Sequence, residues 1–302
     1  MDSKINFSSH FKKANFFSLI LFSISILLIT FKGLNFGIDF KGGTLIELRI
    51  VDQKIGIKDI RDSFSSKNLG DVNVKEFGQK GDYLIKIEQK LNSNTNFVPE
   101  LKKTIINSLN TEVNFRRVEN VGPKVSAELL ESGLIAITLS LAAMLFYIWI
   151  RFEWQFSVGS IIALFHDVII TVGIFSLLSF ELNLSIIAAV LTIVGYSMND
   201  TVVIYDRIRE NLSKYNRIKI EEVANISINE TLSRTIITSG TTLLALLSIF
   251  LLGGEILKGF SFAMILGVII GTYSSIFVAS PILKYLKVDS KTMEKKEERL
   301  VP

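Results

Sequence analysis

The sequence contains no cysteine. That excludes a disulfide framework, a thiolate metal centre and a cysteine nucleophile. It contains only two histidines, His10 and His166, which excludes a histidine-based metal cluster in practice. No metal and no cofactor is therefore expected. The Gly-x-Gly-Asp element of intramembrane aspartyl proteases is also missing, so Asp167 and Asp200 are not read as a proteolytic pair and no enzyme is expected. Formal charge is absent from residues 182–199, and Asp200 follows directly.

What the chain has in excess is apolar length. Of its 302 residues 49% are hydrophobic, and the mean hydropathy is +0.42. The excess is blocked into long runs, the pattern of a polytopic membrane protein. Six runs approach the ~20 residues a bilayer needs. The first, 14–31, follows Lys12-Lys13 as a signal peptide would. No small-x-small cleavage site comes after it, so it is expected to stay as a helix. The others lie at about 130–150, 154–178, 182–206, 233–253 and 259–283.

Lysine and arginine in the flanks set the orientation. They crowd the N-terminus (Lys4, Lys12, Lys13), the segment 207–219 and the tail from Lys284 to Arg299. The loops near Glu181 and at 255–258 are short and poor in them. Both termini are thus expected in the cytoplasm. The long loop then lies outside, because long loops translocate largely regardless of charge. The expected division is a cytoplasmic N-terminus at 1–13 and a first helix at 14–32. An extracytoplasmic α/β domain with connectors follows at 33–128, then five helices at 129–286. A charged tail at 287–302 reads as disordered. The segment 207–231 reads as a solvated connector.

Inside the long loop, 44–51, 72–77, 83–87 and 112–118 alternate as strands do, and Gly78-Gln79-Lys80-Gly81-Asp82 has hairpin-loop chemistry. The stretches 57–67 and 96–109 have helical spacing, the second opening on a capped start at Asn96. The order β-α-β-β-α-β predicts a ferredoxin-like domain. It carries no catalytic constellation, so a binding or contact role is expected.

Asp167, Asp200 and Arg234 lie within or at the edge of the apolar runs, with His166 beside Asp167. A carboxylate at membrane depth costs roughly 2.5–3.5 kcal/mol on insertion scales, and such groups mark ion or proton pathways. Burial favours a carboxyl's protonated form and a nearby guanidinium its ionised form, so changing neighbours can load and release a proton. Asp200 is the candidate carrier and Arg234 its switchable partner, at similar depth and able to pair. The competing reading is a static ion pair that fixes helix register. Asp167 is either a second carrier or a packing acid bonded to polar groups near Ser197 and Asn199. His166 points about 100° away from it and reads as a packing or hydrogen-bonding residue, with a proton relay as the alternative. Gly195, Asn199, Gly240, Gly267 and Gly271 are expected at helix contacts, either within the chain or toward a partner; Gly267 and Gly271 form a GxxxG element. Asp39, Gly42 and Gly43 form a joint between first helix and domain, either a hinge or a tight turn. Pro281 is expected to kink the last helix.

These motifs resemble those of the SecD/SecF family, within the RND superfamily. The resemblance rests on Phe36-Gly37-Ile38-Asp39-Phe40-Lys41-Gly42-Gly43-Thr44, Val121-Gly122-Pro123-Lys124-Val125 and Arg151-Phe152-Glu153-Trp154. It rests further on His166-Asp167, Gly195-Tyr196-Ser197-Met198-Asn199-Asp200, Asp206-Arg207-Ile208-Arg209-Glu210-Asn211 and the run from Arg234 to Thr242. Length and the single small domain look like the shorter partner type, not the longer SecD or the fused form. The resemblance implies an accessory subunit of the Sec preprotein translocase. It implies pairing with SecD, association with the SecYEG channel and with YidC and YajC, and contact with the translocating preprotein and membrane lipid, without nucleic acid. The energy source it implies is a gradient of protons, with Na⁺ left open. It places Asp200 and Arg234 in the proton path, with the companion carboxylate on SecD. The alternatives are an RND-type proton-driven exporter subunit and a passive membrane scaffold.

Overall fold

In the computed structural model, residues 5–52, 54–65, 72–88, 97–215 and 218–289 are described. Six helices are long and apolar enough to cross a membrane, spanning Ser8–Lys32, Pro123–Arg151, Trp154–Leu178, Leu184–Lys214, Ile220–Leu252 and Ile256–Tyr285. This is the architecture of a multi-pass helical membrane protein. The chain divides into two compact units. One takes the described residues of Met1–Leu34, Ile137–Phe180 and Ser185–Pro302; the other takes Asn35–Ala136 and Glu181–Leu184.

The helical unit holds α1 (Phe11–Leu27), prolonged by a wide turn over Leu28–Lys32. The smaller unit begins with β1 (Asn35–Phe36) and a one-turn α2 (Ile38–Lys41). Then come β2 (Gly43–Ile50), α3 (Ile57–Ser65), β3 (Val72–Glu76), β4 (Asp82–Ile87), α4 (Phe97–Leu109) and β5 (Val113–Val121). The remaining elements are α5 (Pro123–Arg151), α6 (Trp154–Leu178), β6 (Glu181–Leu182), α7 (Leu184–Lys214), α8 (Ile220–Leu252), α9 (Glu255–Ser274) and α10 (Ser280–Tyr285).

Within the smaller unit, β2 to β5 form an antiparallel sheet in the order β3-β4-β2-β5. Its core is built from Ile46, Leu48, Ile85 and Ile87 of the sheet, Ile60 and Phe64 of α3, and Leu101 and Ile105 of α4. Burying each such side chain stabilises the fold by about 1.5–3 kcal/mol. The pairing of β2 with β5 shifts register between Glu47 and Leu48, where Arg116 is the extra residue. Bulges re-aim side chains, and Arg116 reaches Asp82, 3.2 Å away. Arg49, opposite Asp82 across the β2–β4 ladder, donates to both carboxylate oxygens at 2.6 and 2.8 Å. β1 and β6 pair in parallel, Asn35 with Glu181 and Phe36 with Leu182. Asp39 Oδ2 accepts a hydrogen bond from the Leu184 N–H at 2.9 Å, satisfying a first-turn donor of α7.

Gly42 and Gly43 have φ of +77° and +127°. A Cβ on Gly43 would lie 2.6 Å from the Ile87 carbonyl oxygen, and Gly43 already pairs with Val121 across the sheet. Both glycines therefore stand where a side chain would be strained, in a turn that leads directly into β2.

The helical unit packs differently. Lipid tails are as apolar as leucine, so helices in a membrane gain from close approach and interhelical hydrogen bonds. Gly173 stands against Ser25 of α1, Gly159 against Tyr205, and Gly267 against Ile193. Tyr205 is fully buried between Phe152 and Phe156 and donates to the Ala279 carbonyl at 2.8 Å. The N-terminal segment is tied to α8: Asn229 bonds both N–H and carbonyl of Ile5 at 2.9 and 2.8 Å, and Asn225 accepts from Phe7 N–H at 2.7 Å.

Several expected boundaries move. The segment 207–231 is not a connector where it is described: α7 runs on to Lys214 and α8 starts at Ile220. Hydropathy marks where lipid lies, and both helices continue past it. An ion pair and a neutral hydrogen bond support the extensions, Arg207 bonding Glu230 at 2.7 Å and Asn211 donating to Ser227 at 3.0 Å. Asp206 bonds Arg151, and Arg209 pairs with Glu153 at 3.1 Å. At Pro281 the helix widens into a π turn over Ser275–Ala279 and restarts at Ser280. Proline lacks the N–H that an α-helical turn would use there. The capped start at Asn96, the end of the 57–67 helix and the tail from 290 onward lie outside the described residues.

Candidate functional site

Both membrane acids are buried in the helical unit, Asp167 on α6 and Asp200 on α7. Asp167 is wholly enclosed. Its Oδ1 lies 2.9 Å from Nδ1 of His166. Its Oδ2 accepts from Ser197 Oγ of α7 at 2.5 Å and from Ser274 Oγ of α9 at 2.7 Å. The reading of Asp167 as bonded near Ser197 matches this geometry; Asn199 is exposed instead. Residues 197 and 199 are 200° apart on a helix, so they cannot serve the same acid. The hydrogen-bonding reading of His166 matches as well, because its ring turns back onto the neighbouring carboxylate.

The close approach of α9 to α7 makes this clasp possible. A Cβ on Gly271 would lie 2.9 Å from Ser197 Cβ. Gly267 and Gly271 are therefore helix-packing residues within the chain. Gly195 and Gly240 are not: a Cβ on either would meet nothing within 4 Å. They stand on outer faces of α7 and α8.

Asp200 is held more loosely. Its Oδ2 accepts from Ser239 Oγ of α8 at 3.4 Å and from Thr272 Oγ1 of α9 at 3.3 Å. These exceed the usual 2.5–3.0 Å or so for hydroxyl donors. The two hydroxyls lie 2.8 Å from each other. A hydroxyl can donate to a carboxylate or accept from a carboxylic acid, so this cradle serves both protonation states.

Arg234 does not pair with Asp200 here, which corrects the expectation. Among the described residues, no ion pair to Asp200 is formed, and Arg234 is exposed. The cause is angular. Ser239 faces inward from α8, and Arg234, five residues earlier, lies about 140° around the same helix. Counting along the chain does not give that direction. Thr272 and Tyr273 went unread in the sequence, although Thr272 sits one residue past Gly271 of the GxxxG element. A hydroxyl at the glycine face of such a contact is the signal that could have found it.

Residues 101–289 match the family described as "Protein export membrane protein SecD/SecF, C-terminal", and residues 27–52 match "SecD/SecF GG Motif". The chain is 48% identical over 286 residues to "Protein translocase subunit SecF" of Rickettsia bellii (strain OSU 85-389), covering 94% of each. It is 43% identical to the protein of the same name from Cereibacter sphaeroides, covering 90% of this chain and 86% of that one. Among solved structures, SecDF from Thermus, described as a translocon-associated membrane protein, superposes with a TM-score of 0.85 at 35% identity over 95% of this chain. SecDF in a super-membrane-facing form gives 0.70 at 34% identity. The chain spans 39% of the first of these and 40% of the second.

Proposed function

Because the chain belongs to the SecD/SecF family of protein export membrane proteins, we propose that it couples the proton-motive force to preprotein export across the inner membrane, working with SecD beside SecYEG. The single observation that carries this reading is the loose hydroxyl cradle around Asp200. A carboxyl bound at 3.3–3.4 Å by two hydroxyls, and in no ion pair among the described residues, can change protonation without breaking a strong bond. Asp167 is the contrasting case, fixed by short bonds to two other helices. We assign Asp200 as the carrier and Arg234 as the exposed cation that meets a carboxylate of SecD. YidC and YajC belong to the same assembly in this reading.

The smaller unit fits the role of the ferredoxin-like extracytoplasmic domain. Its β-α-β-β-α-β order and its strand order support that assignment. Both termini are then cytoplasmic.

The test is preprotein export into vesicles containing this chain, SecD and SecYEG. Wild type and Asp200→Asn are compared with a proton gradient, a Na⁺ gradient or neither. The expected result is stimulation of wild type only, with the variant still assembled. Equal stimulation of both makes the acid structural and supports the scaffold alternative. Stimulation by Na⁺ alone changes the coupling ion.

A further inference from the structure

The coupling proposed for Asp200 leaves the buried imidazole of His166 without a part. His166 and Asp167 are consecutive on α6, both buried, with Nδ1 of the ring against Oδ1 of the acid. The acid's other oxygen takes Ser197 and Ser274. Three donors on two oxygens suit an ionised carboxylate, and that contact holds the imidazole proton on Nδ1. Nε2 is then left with its lone pair. It is buried and has no hydrogen-bond partner among the described residues.

The charge count sharpens the point. Among the described residues, no lysine or arginine pairs with Asp167; its one ionic contact is His166. With a neutral ring the dyad buries one negative charge that no cation offsets, a costly arrangement at membrane depth. The groups facing the ring are few. Tyr273 of α9 lies nearly parallel to it, with centroids 6.4 Å apart and planes at 24°. The tyrosine hydroxyl donates to the Ala14 carbonyl of α1 at 2.9 Å and receives Ser18 at 3.0 Å. Its hydrogen is therefore committed elsewhere. From α7 the cluster receives Ser197, which serves the acid.

We propose that Nε2 of His166 is a second proton-binding site of this chain, with Asp167 as its fixed counter-charge. The lone pair of Nε2 takes a proton from hydronium, forming an N–H bond and leaving water, and the dyad passes from one negative charge to neutral. Release reverses the step. This deepens the proton-coupled reading and rests on it for use in export, though not for the binding itself.

The chain's two histidines make the test direct. His10→Gln leaves His166 as the sole histidine of these 302 residues. Its ring nitrogens, labelled with ¹⁵N, are followed by NMR in lipid nanodiscs across the pH range in which the protein works. The expected result is a shift from the Nδ1–H tautomer at high pH to a doubly protonated ring at low pH. Asp167→Asn should weaken that proton binding at least tenfold, because the counter-charge is gone. A ring that stays neutral throughout, or charged throughout, overturns the proposal. So does unchanged proton binding in Asp167→Asn. Asp200→Asn separates this inference from the previous one. If His166 is silent while Asp200→Asn abolishes gradient-driven export, the site fails and the coupling stands. If His166 titrates in the Asp200→Asn protein, the site is established independently of the carrier.

Discussion

Asp82 shows, outside the membrane helices, how one residue ties stability to pH. The Arg49 guanidinium bonded to it holds its carboxyl below the usual carboxylate range, with Arg116 adding to the effect. A carboxyl whose folded pKa is depressed stabilises the fold above its unfolded pKa, and that stability is lost as pH falls through the folded one. Amide hydrogen exchange on the full chain should therefore show β2 and β4 protected near neutral pH and progressively exposed in acid. Asp82→Asn should lower neutral-pH protection by about 1–2 kcal/mol and flatten the acid response; an unchanged acid profile would assign it to other carboxylates. The sequence made Asp167 and Asp200 legible because a charge in an apolar run has few innocent explanations. It left Asp82 unread, because an acid in a hairpin loop is ordinary and only the strand register reveals two arginines around it. The outward direction of Arg234 was hidden for a related reason. Helical periodicity orders the faces of α8 without saying which face finds a neighbour.

The helices divide their glycines between two tasks. Gly271 lets α9 reach α7, and with it lets Ser197 and Ser274 reach the same carboxylate. Gly271→Ala should force the helices apart at a cost of about 1–3 kcal/mol. Thermal unfolding of the detergent-solubilised chain should register this as a lowered midpoint. Gly195→Ala and Gly240→Ala, facing open space, should change the isolated chain by no more than about 0.5 kcal/mol. The same two substitutions assayed with SecD present test the outer faces: weaker co-purification marks them as a partner contact, and no change marks them as lipid-facing. The GxxxG spacing was readable at 267 and 271, whereas identical residues at 195 and 240 carried no mark of their different surroundings. The spans were readable to within a turn or two wherever lipid sets their length. The helices run on past residue 206 and start before 233, where ion pairs such as Arg207 with Glu230 tie the two extensions together.

For the whole molecule, the order of elements followed from patterning. Alternation gave the sheet of the smaller unit, and long apolar runs gave the spans of the larger one. What patterning could not give was closure, meaning which distant residues meet. The N-terminal segment is the clearest case, since Ile5 and Phe7 are bound by Asn229 and Asn225. Replacing both asparagines with alanine should free residues 5–8 without disturbing the spans. The cysteine-free background makes this measurable: a single Ile5→Cys should react faster with a thiol reagent in the double variant, and equal rates would mean that Phe7 and Phe11 against Phe277 hold the segment alone. The tie also bears on how the protein is made. Ile5 leaves the ribosome well before its partner, which lies 224 residues later. Its backbone N–H and carbonyl must therefore do without the asparagine until the start of α8 has emerged.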